Sequence, residues 1–192
     1  MHEHDHPTDM NRRRFGLLAL AGAAAGLAPS GVRAAAQCIP PTINLPALAV
    51  SCIDYRLPDN YIGFFNGHIG REKYDLISLA GASLACGSTG MFAQTVEAFY
   101  QQLGAAYHLH QVKQVVFVDH MGCGAFKEEF NRGCDFDPPA LERTRHLEVM
   151  RRVAAQFPLR TRAMGLPHIG LEFWLFRDPK YGPVGQPERI TL

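Results

Sequence analysis

The sequence predicts an α/β domain built on a mostly parallel central sheet flanked by helices. Two observations predict it. Ala47-Leu48-Ala49-Val50 and Val115-Val116-Phe117-Val118 are short, unbroken apolar runs, the pattern of strands buried on both faces rather than the alternation of a half-exposed strand. Around them lie stretches with apolar residues at helical spacing. The resulting order of strand, helix, strand, helix, strand closes into a parallel sheet through right-handed crossovers. A chain of 192 residues, 47% of them hydrophobic, suits one globular domain with a real core.

Residues 1–36 are set apart from that domain, which is expected to span 37–192. Asn11-Arg12-Arg13-Arg14-Phe15 precedes a mildly apolar Gly/Ala-rich run from Gly16 to Ala28, followed by Arg33 and the small-residue site Ala34-Ala35-Ala36. This resembles a twin-arginine export signal, with Arg12 and Arg13 as the pair, and is preferred to a disordered basic tail. The run is too short and too weakly hydrophobic to span a bilayer, so no stable membrane anchoring is expected after cleavage. A lipid anchor on Cys38 is disfavoured by Gln37, where such sites want a small residue. His2, His4 and His6 lie ahead of the signal and receive no role. The implied location is periplasmic or secreted, and the route exports proteins already folded, often with cofactor in place.

From Cys38 to Pro46 the prolines indicate an extended arm. After the first strand, Pro58 and Asp59 are helix-start signals, with a short helix expected over Tyr61 to Phe65. Tyr74 to Leu79 reads as a second strand, ending in Ala80-Gly81-Ala82-Ser83. Gly87-Ser88-Thr89-Gly90 is loop chemistry with a capping residue for a helix whose apolar face carries Phe92, Val96, Phe99 and Leu103. Beyond the third strand, Ala125 to Phe130 form a short helix. Asp137-Pro138-Pro139 then caps a longer one with Leu147, Met150, Val153 and Phe157 on its buried face. Glu148 and Arg152 are read as a solvated pair on that helix, and His146 as a surface histidine. Pro167 to Arg177, with Phe173, Trp174, Leu175 and Phe176, reads as a last buried strand, Trp174 being core rather than site. The Pro/Gly-rich tail from Asp178 is expected to be an irregular arm available to a partner subunit.

A net charge of +1, with arginines scattered among glutamates and no basic stripe interleaved with aromatics, excludes a nucleic-acid binder by composition. The chemistry lies where two strands end. Gln114 to Val118 runs into Asp119-His120-Met121-Gly122-Cys123-Gly124, and Ala47 to Ser51 runs into Cys52-Ile53-Asp54-Tyr55-Arg56. In an open parallel sheet, sites form outside the carboxyl ends of strands, where strand order reverses. If these two strands are neighbours, about 4.8 Å apart, one ion with bonds of about 2.0 to 2.3 Å reaches Cys52 and His120, and Cys123 completes the set. Cys2His with a vacant fourth position is the pattern of a catalytic zinc site, and thiolate with imidazole favours zinc over magnesium or calcium. With Cys52 and Cys123 so engaged, at most one disulfide can form among Cys38, Cys86 and Cys134, and its pairing stays open.

The two motifs together, Cys52-x-Asp54-x-Arg56 and His120-x-x-Cys123-Gly124, resemble the signature of the β-class carbonic anhydrases, over roughly Leu48 to Arg177. The resemblance implies zinc on Cys52, His120 and Cys123, and Asp54 with Arg56 as a catalytic dyad beside zinc-bound water. It implies carbon dioxide and bicarbonate as substrate and product, and a homodimer or higher homo-oligomer with the active site near the subunit interface. Three departures stand out. Tyr55 replaces the family's usual serine, Asp119 its usual glycine, and Ser78-Leu79-Ala80-Gly81-Ala82 stands where the family has Arg-Asn-Ala-Gly-Asn. The last keeps the Ala-Gly and loses the polar flanks, which bears on the substrate pocket more than on the metal. Carbonyl sulfide and carbon disulfide hydrolases share the scaffold and supply the alternative activity, with a zinc-binding homologue lacking turnover as another. A thiol redox protein is disfavoured because the chain has no Cys-x-x-Cys.

The expected mechanism follows from charge. In a carbonic anhydrase with three histidine ligands, zinc brings its bound water to a pKa of about 7. Two thiolates cancel the ion's formal charge and make that water less acidic. Asp54, held by Arg56, is therefore expected to accept the hydrogen bond of zinc hydroxide and aim its lone pair at carbon dioxide.

Overall fold

The computed structural model describes residues 43–192. The expected export leader, the expected boundary at 36/37, Cys38 and most of the expected arm lie outside the described residues. The described chain forms β1 (Ala47–Ser51), α1 (Pro58–Phe65), β2 (Tyr74–Ser78), α2 (Leu84–Gly87), α3 (Ala93–His110), β3 (Gln114–His120), α4 (Gly124–Asn131), α5 (Ala140–Ala163), β4 (Gly170–Phe176) and β5 (Glu188–Ile190). The strands make one sheet in the order β2-β1-β3-β4-β5. All pairs are parallel except β4 with β5. The predicted fold class is therefore the observed one.

Burial explains which runs became central strands. Every residue of β1 is buried, as is every residue of β3 after Gln114, whereas β2 at the sheet edge is half-exposed. Successive residues point to opposite faces, so the two layers can be read from the aromatics. Phe117 and Phe173, register partners on β3 and β4, stack at 5.5 Å and meet α3 through Phe99. Val149, Met150, Val153 and Phe157 of α5 are fully buried, and Phe157 packs on Tyr100 of α3. On the other face α1 supplies Tyr61, Phe64 and Phe65, with Phe64 lying against Trp174 and Phe176.

Several local expectations change. The helix after β1 begins at Pro58, as Pro at the first turn dictates, and continues through a wider five-residue turn, Asn66–Gly70. Neither α3 nor α5 has a side-chain cap at its start. The carboxylate of Glu129 on α4 instead accepts the amides of Gly90 and Phe92 and the hydroxyl of Ser88, so the cap for α3 comes from a distant helix. Glu148 pairs with Arg145 rather than Arg152, which turns back to donate to the Gly87 carbonyl. His146 is not a surface residue: it is 0% exposed, on the same face of α5 as Val149 and Val153. Trp174 is half-buried. The tail is not a free arm, because Pro179–Tyr181 forms a short turn and β5 returns antiparallel to cover the edge of β4. No disulfide forms among the described cysteines.

The α2–α5 contact depends on a missing side chain. A Cβ on Gly87 would lie 2.7 Å from Val153 Cγ2 and 3.3 Å from the Val149 carbonyl, so Gly87→Ala is expected to destabilise the fold by about 1–3 kcal/mol through overpacking. Gly104, inside α3, would meet only the tip of Met164 at 3.4 Å. Gly104→Ala should stabilise by about 0.5–1 kcal/mol through helix propensity. Urea denaturation of both variants beside the parent tests the pair of opposite signs.

Candidate metal centre

β1 turns outward to β2 on one side, and the chain then crosses to place β3 on the other, so strand order reverses between β1 and β3. Cys52 follows the last residue of β1, and His120 is the last residue of β3. A turn through Gly122, with φ of 71°, brings Cys123 back at the start of α4. The ligand atoms of Cys52, His120 and Cys123 all lie within 4.8 Å of one another, and all three residues are buried.

The donor set suits a metal by its hydrogen bonding. His120 Nδ1 contacts the Met121 carbonyl at 2.9 Å, which fixes the proton there and leaves Nε2 with its lone pair free. That Nε2 is buried with no hydrogen-bond partner, an arrangement costly in a protein interior and natural for a ligand. The two sulfurs are 3.8 Å apart. Their mutual hydrogen bond pushes the Cys52 thiol down and, with burial, the Cys123 thiol up, so the pair readily gives up one proton. The Gly81 amide donates to Cys52 Sγ at 3.3 Å, supporting charge on that sulfur.

Asp54 and Arg56 stand at the mouth of this cluster. Arg56 grips the carboxylate with two parallel bonds, Nε to Oδ1 at 2.9 Å and a terminal nitrogen to Oδ2 at 2.6 Å. The same guanidinium nitrogen donates to the Gly122 carbonyl at 3.0 Å, tying the first motif to the second. The Arg56 hydrogen bonds lower the Asp54 carboxyl to about 2, so it is an acceptor at physiological pH. Its Oδ2 lies 3.5 Å from His120 Nε2. Tyr55, between the two, points to solvent at 87% exposure.

A cavity of about 260 Å³ opens on Cys52 and Asp54, with Ile53, Pro58, Ile62 and Leu76 as its apolar lining. Tyr61 also lines it, and its hydroxyl is buried with no hydrogen-bond partner. Burial, with the sulfurs nearby, raises its pKa, so it remains a donor. A larger cavity of about 350 Å³ lies beyond the Met121–Gly122 turn, among Lys127, Arg177 and Asp178, and none of the three ligand side chains lines it.

The structure thus brings together Cys52, Asp54, Arg56, His120 and Cys123. Tyr61 was legible only as a packing residue of α1. Glu142 and His146 were also missed, although a signal existed: they occupy the stripe of α5 otherwise filled by Val149, Met150, Val153 and Phe157, where polar residues call for a reason.

A Cys/His/Cys cluster at the switch point of a parallel α/β sheet defines a class, that of proteins with a candidate metal centre open to solvent on one side. The family is shown by sequence: a family model described as "Putative carbonic anhydrase" matches residues 44–154, more than half of the chain, and the chain belongs to that family. An uncharacterized protein of Rickettsia conorii is 37% identical over 82 residues, 42% of this chain and 42% of that protein. Another, of Rickettsia bellii, is 35% identical over 83 residues, covering 42% and 49% respectively. The chain spans less than half the length of these curated relatives. Among solved structures it is similar to a mutant of the β-carbonic anhydrase CafD of Aspergillus fumigatus, with 12% identity and a TM-score of 0.45 over 78% of this chain and 90% of that one. It is also similar to β-carbonic anhydrase isoform I of Trichomonas vaginalis, with 16% identity and a TM-score of 0.39 over 76% and 84%.

The turn before Cys123 is tightly fitted. A Cβ on Gly122 would lie 2.4 Å from the Asp178 carboxylate, at a positive φ that disfavours any side chain. Gly122→Ala should cost about 1–3 kcal/mol of stability. Adding Asp178→Ala should recover the steric part but not the backbone part. Thermal denaturation of the two single variants and the double variant measures that coupling.

Proposed function

We propose that the chain is an exported, zinc-dependent carbonic anhydrase interconverting carbon dioxide and bicarbonate, with zinc held by Cys52, His120 and Cys123. One observation carries the metal: the buried, unpartnered Nε2 of His120 beside two buried sulfurs. Bound there, zinc would supply a Lewis acid that makes water a competent nucleophile near neutral pH.

The remaining work falls to side chains. Asp54 accepts a proton-bearing group at the mouth of the cluster, and the Arg56 fork keeps its carboxylate ionised and turned toward His120. Ile53, Pro58, Ile62 and Leu76 give an apolar, linear substrate an apolar wall to lie against beside Cys52 and Asp54. The Tyr61 hydroxyl is the nearby neutral donor suited to an oxygen of the product anion. For partners, we propose self-association into a dimer or larger assembly, and for location the periplasm or exterior, reached through the Arg12-Arg13 signal.

The mature protein should carry about one zinc per chain, and Cys123→Ser should empty the site. Asp54→Asn should keep the metal and lose on the order of 10²-fold in hydration rate, because an amide accepts poorly and cannot pair with Arg56 in the same way. Stopped-flow hydration of carbon dioxide, with zinc quantified in the same samples, tests both. Full zinc occupancy in Cys123→Ser would overturn the ligand assignment. A zinc-replete parent inert toward carbon dioxide but active on carbonyl sulfide or carbon disulfide would move the substrate to the alternative.

Export is tested separately. Replacing Arg12 and Arg13 together by lysine should leave unprocessed precursor in the cytoplasm, seen by fractionation and immunoblotting. Undiminished periplasmic yield would refute that route.

A further inference from the structure

The last two residues of β3 point to opposite faces of the sheet: His120 toward the metal cluster, Asp119 toward α5. Asp119 is 1% exposed and accepts three hydrogen bonds, from the Ser83 amide at 2.9 Å, the Ser83 hydroxyl at 2.6 Å and His146 Nδ1 at 2.9 Å. His146 is sandwiched between this carboxylate and that of Glu142, whose Oε1 lies 3.9 Å from Nε2, with the Phe126 ring stacked on the imidazole at 3.6 Å. Glu142 in turn accepts the backbone amide of Cys123 at 2.9 Å. His146 Nε2 makes no hydrogen bond, so the link from the imidazole to Glu142 is electrostatic, across 3.9 Å in a buried setting where charges are poorly screened.

Both ends of this chain of contacts finish at a sulfur ligand. Ser83 follows Gly81 and Ala82, which are both left-handed, with φ of 74° and 43°. For alanine that conformation is strained by about 1–2 kcal/mol and persists only where surrounding contacts fix it. The strained turn is what presents the Gly81 amide to Cys52 Sγ. At the other end Glu142 anchors the amide of Cys123 itself.

We infer that Asp119, through Ser83 on one side and through His146 and Glu142 on the other, is a hub that sets the positions of both thiol ligands before metal binds. Asp119, Ser83, His146 and Glu142 are positioning residues: none of them touches the reacting atoms. The same hub gives a reason for Asp119 where glycine is the usual residue before this histidine. Glycine could not hold the strained turn or tether α5. This inference rests on the metal reading proposed above, and the test separates the two.

The measurement is zinc affinity by competition with a chromophoric chelator on folded apo-protein, beside the thiolate-to-metal absorption of the cobalt-substituted form and the melting temperature without metal. Glu142→Ala, which removes the acceptor for the Cys123 amide, should weaken zinc binding by about 10–100-fold and alter the cobalt spectrum. Glu142→Gln, which retains an acceptor oxygen, should restore most of the affinity. His146→Gln keeps a donor to Asp119 while breaking the link to Glu142, and should weaken zinc by about tenfold. It decides the matter if Glu142→Ala does not fold. Variants that melt lower yet bind zinc with parental affinity and spectrum would overturn the hub while leaving the metal reading intact. A parent that binds no zinc would overturn both.

Discussion

The adjacency of β1 and β3 is the constraint on which the site depends. β1 ends at Ser51, opposite Val118, and β3 runs two residues further to His120, with the reversal of strand order between the two strands. Nothing needs to fold over the site to assemble it. The sheet delivers Cys52 and His120 to the same end, and a turn at Gly122, whose φ of 71° favours glycine, delivers Cys123. The central sheet is also the most rigid part of such a domain, so ligand spacing inherits the rigidity of hydrogen-bonded strands rather than of loops.

Around that frame, charge is arranged in two layers that do different work. On the solvent side the Arg56–Asp54 fork is partly exposed, geometrically strict, and linked to the ligand turn through the Gly122 carbonyl. On the interior side Asp119, His146 and Glu142 are almost wholly removed from water. Burial opposes charge on His146, yet its carboxylate neighbours raise its pKa, and Glu142 is lowered despite the same burial. The interior layer is a buried polar cluster held by the hydrogen bonds that Asp119 accepts from Ser83 and His146 and that Glu142 accepts from Cys123.

Much of this was legible in the chain. Unbroken apolar runs announced central strands, and the two motifs named the residues that meet at their ends, because strand direction and side-chain alternation are local properties. What escaped was non-local. No spacing rule reveals that Glu129 reaches the amides before α3, that Arg152 turns to the Gly87 carbonyl, or that the tail returns as β5, since each depends on which distant element lies nearby. His146 was misread for the opposite reason. Its place in the apolar stripe of α5 was visible, but a histidine there is buried only when Asp119 waits across the interface.

The sequence separation of 71 between Cys52 and Cys123 gives the site a bearing on how the chain folds. Bringing such distant residues together in an unfolded chain costs roughly 4 kcal/mol of closure entropy, a term that grows only slowly with length. β2 and α3 lie inside the loop that the β1–β3 pairing closes. An ion bridging the two sulfurs would act as a removable cross-link across that loop, stabilising the folded chain by its binding free energy.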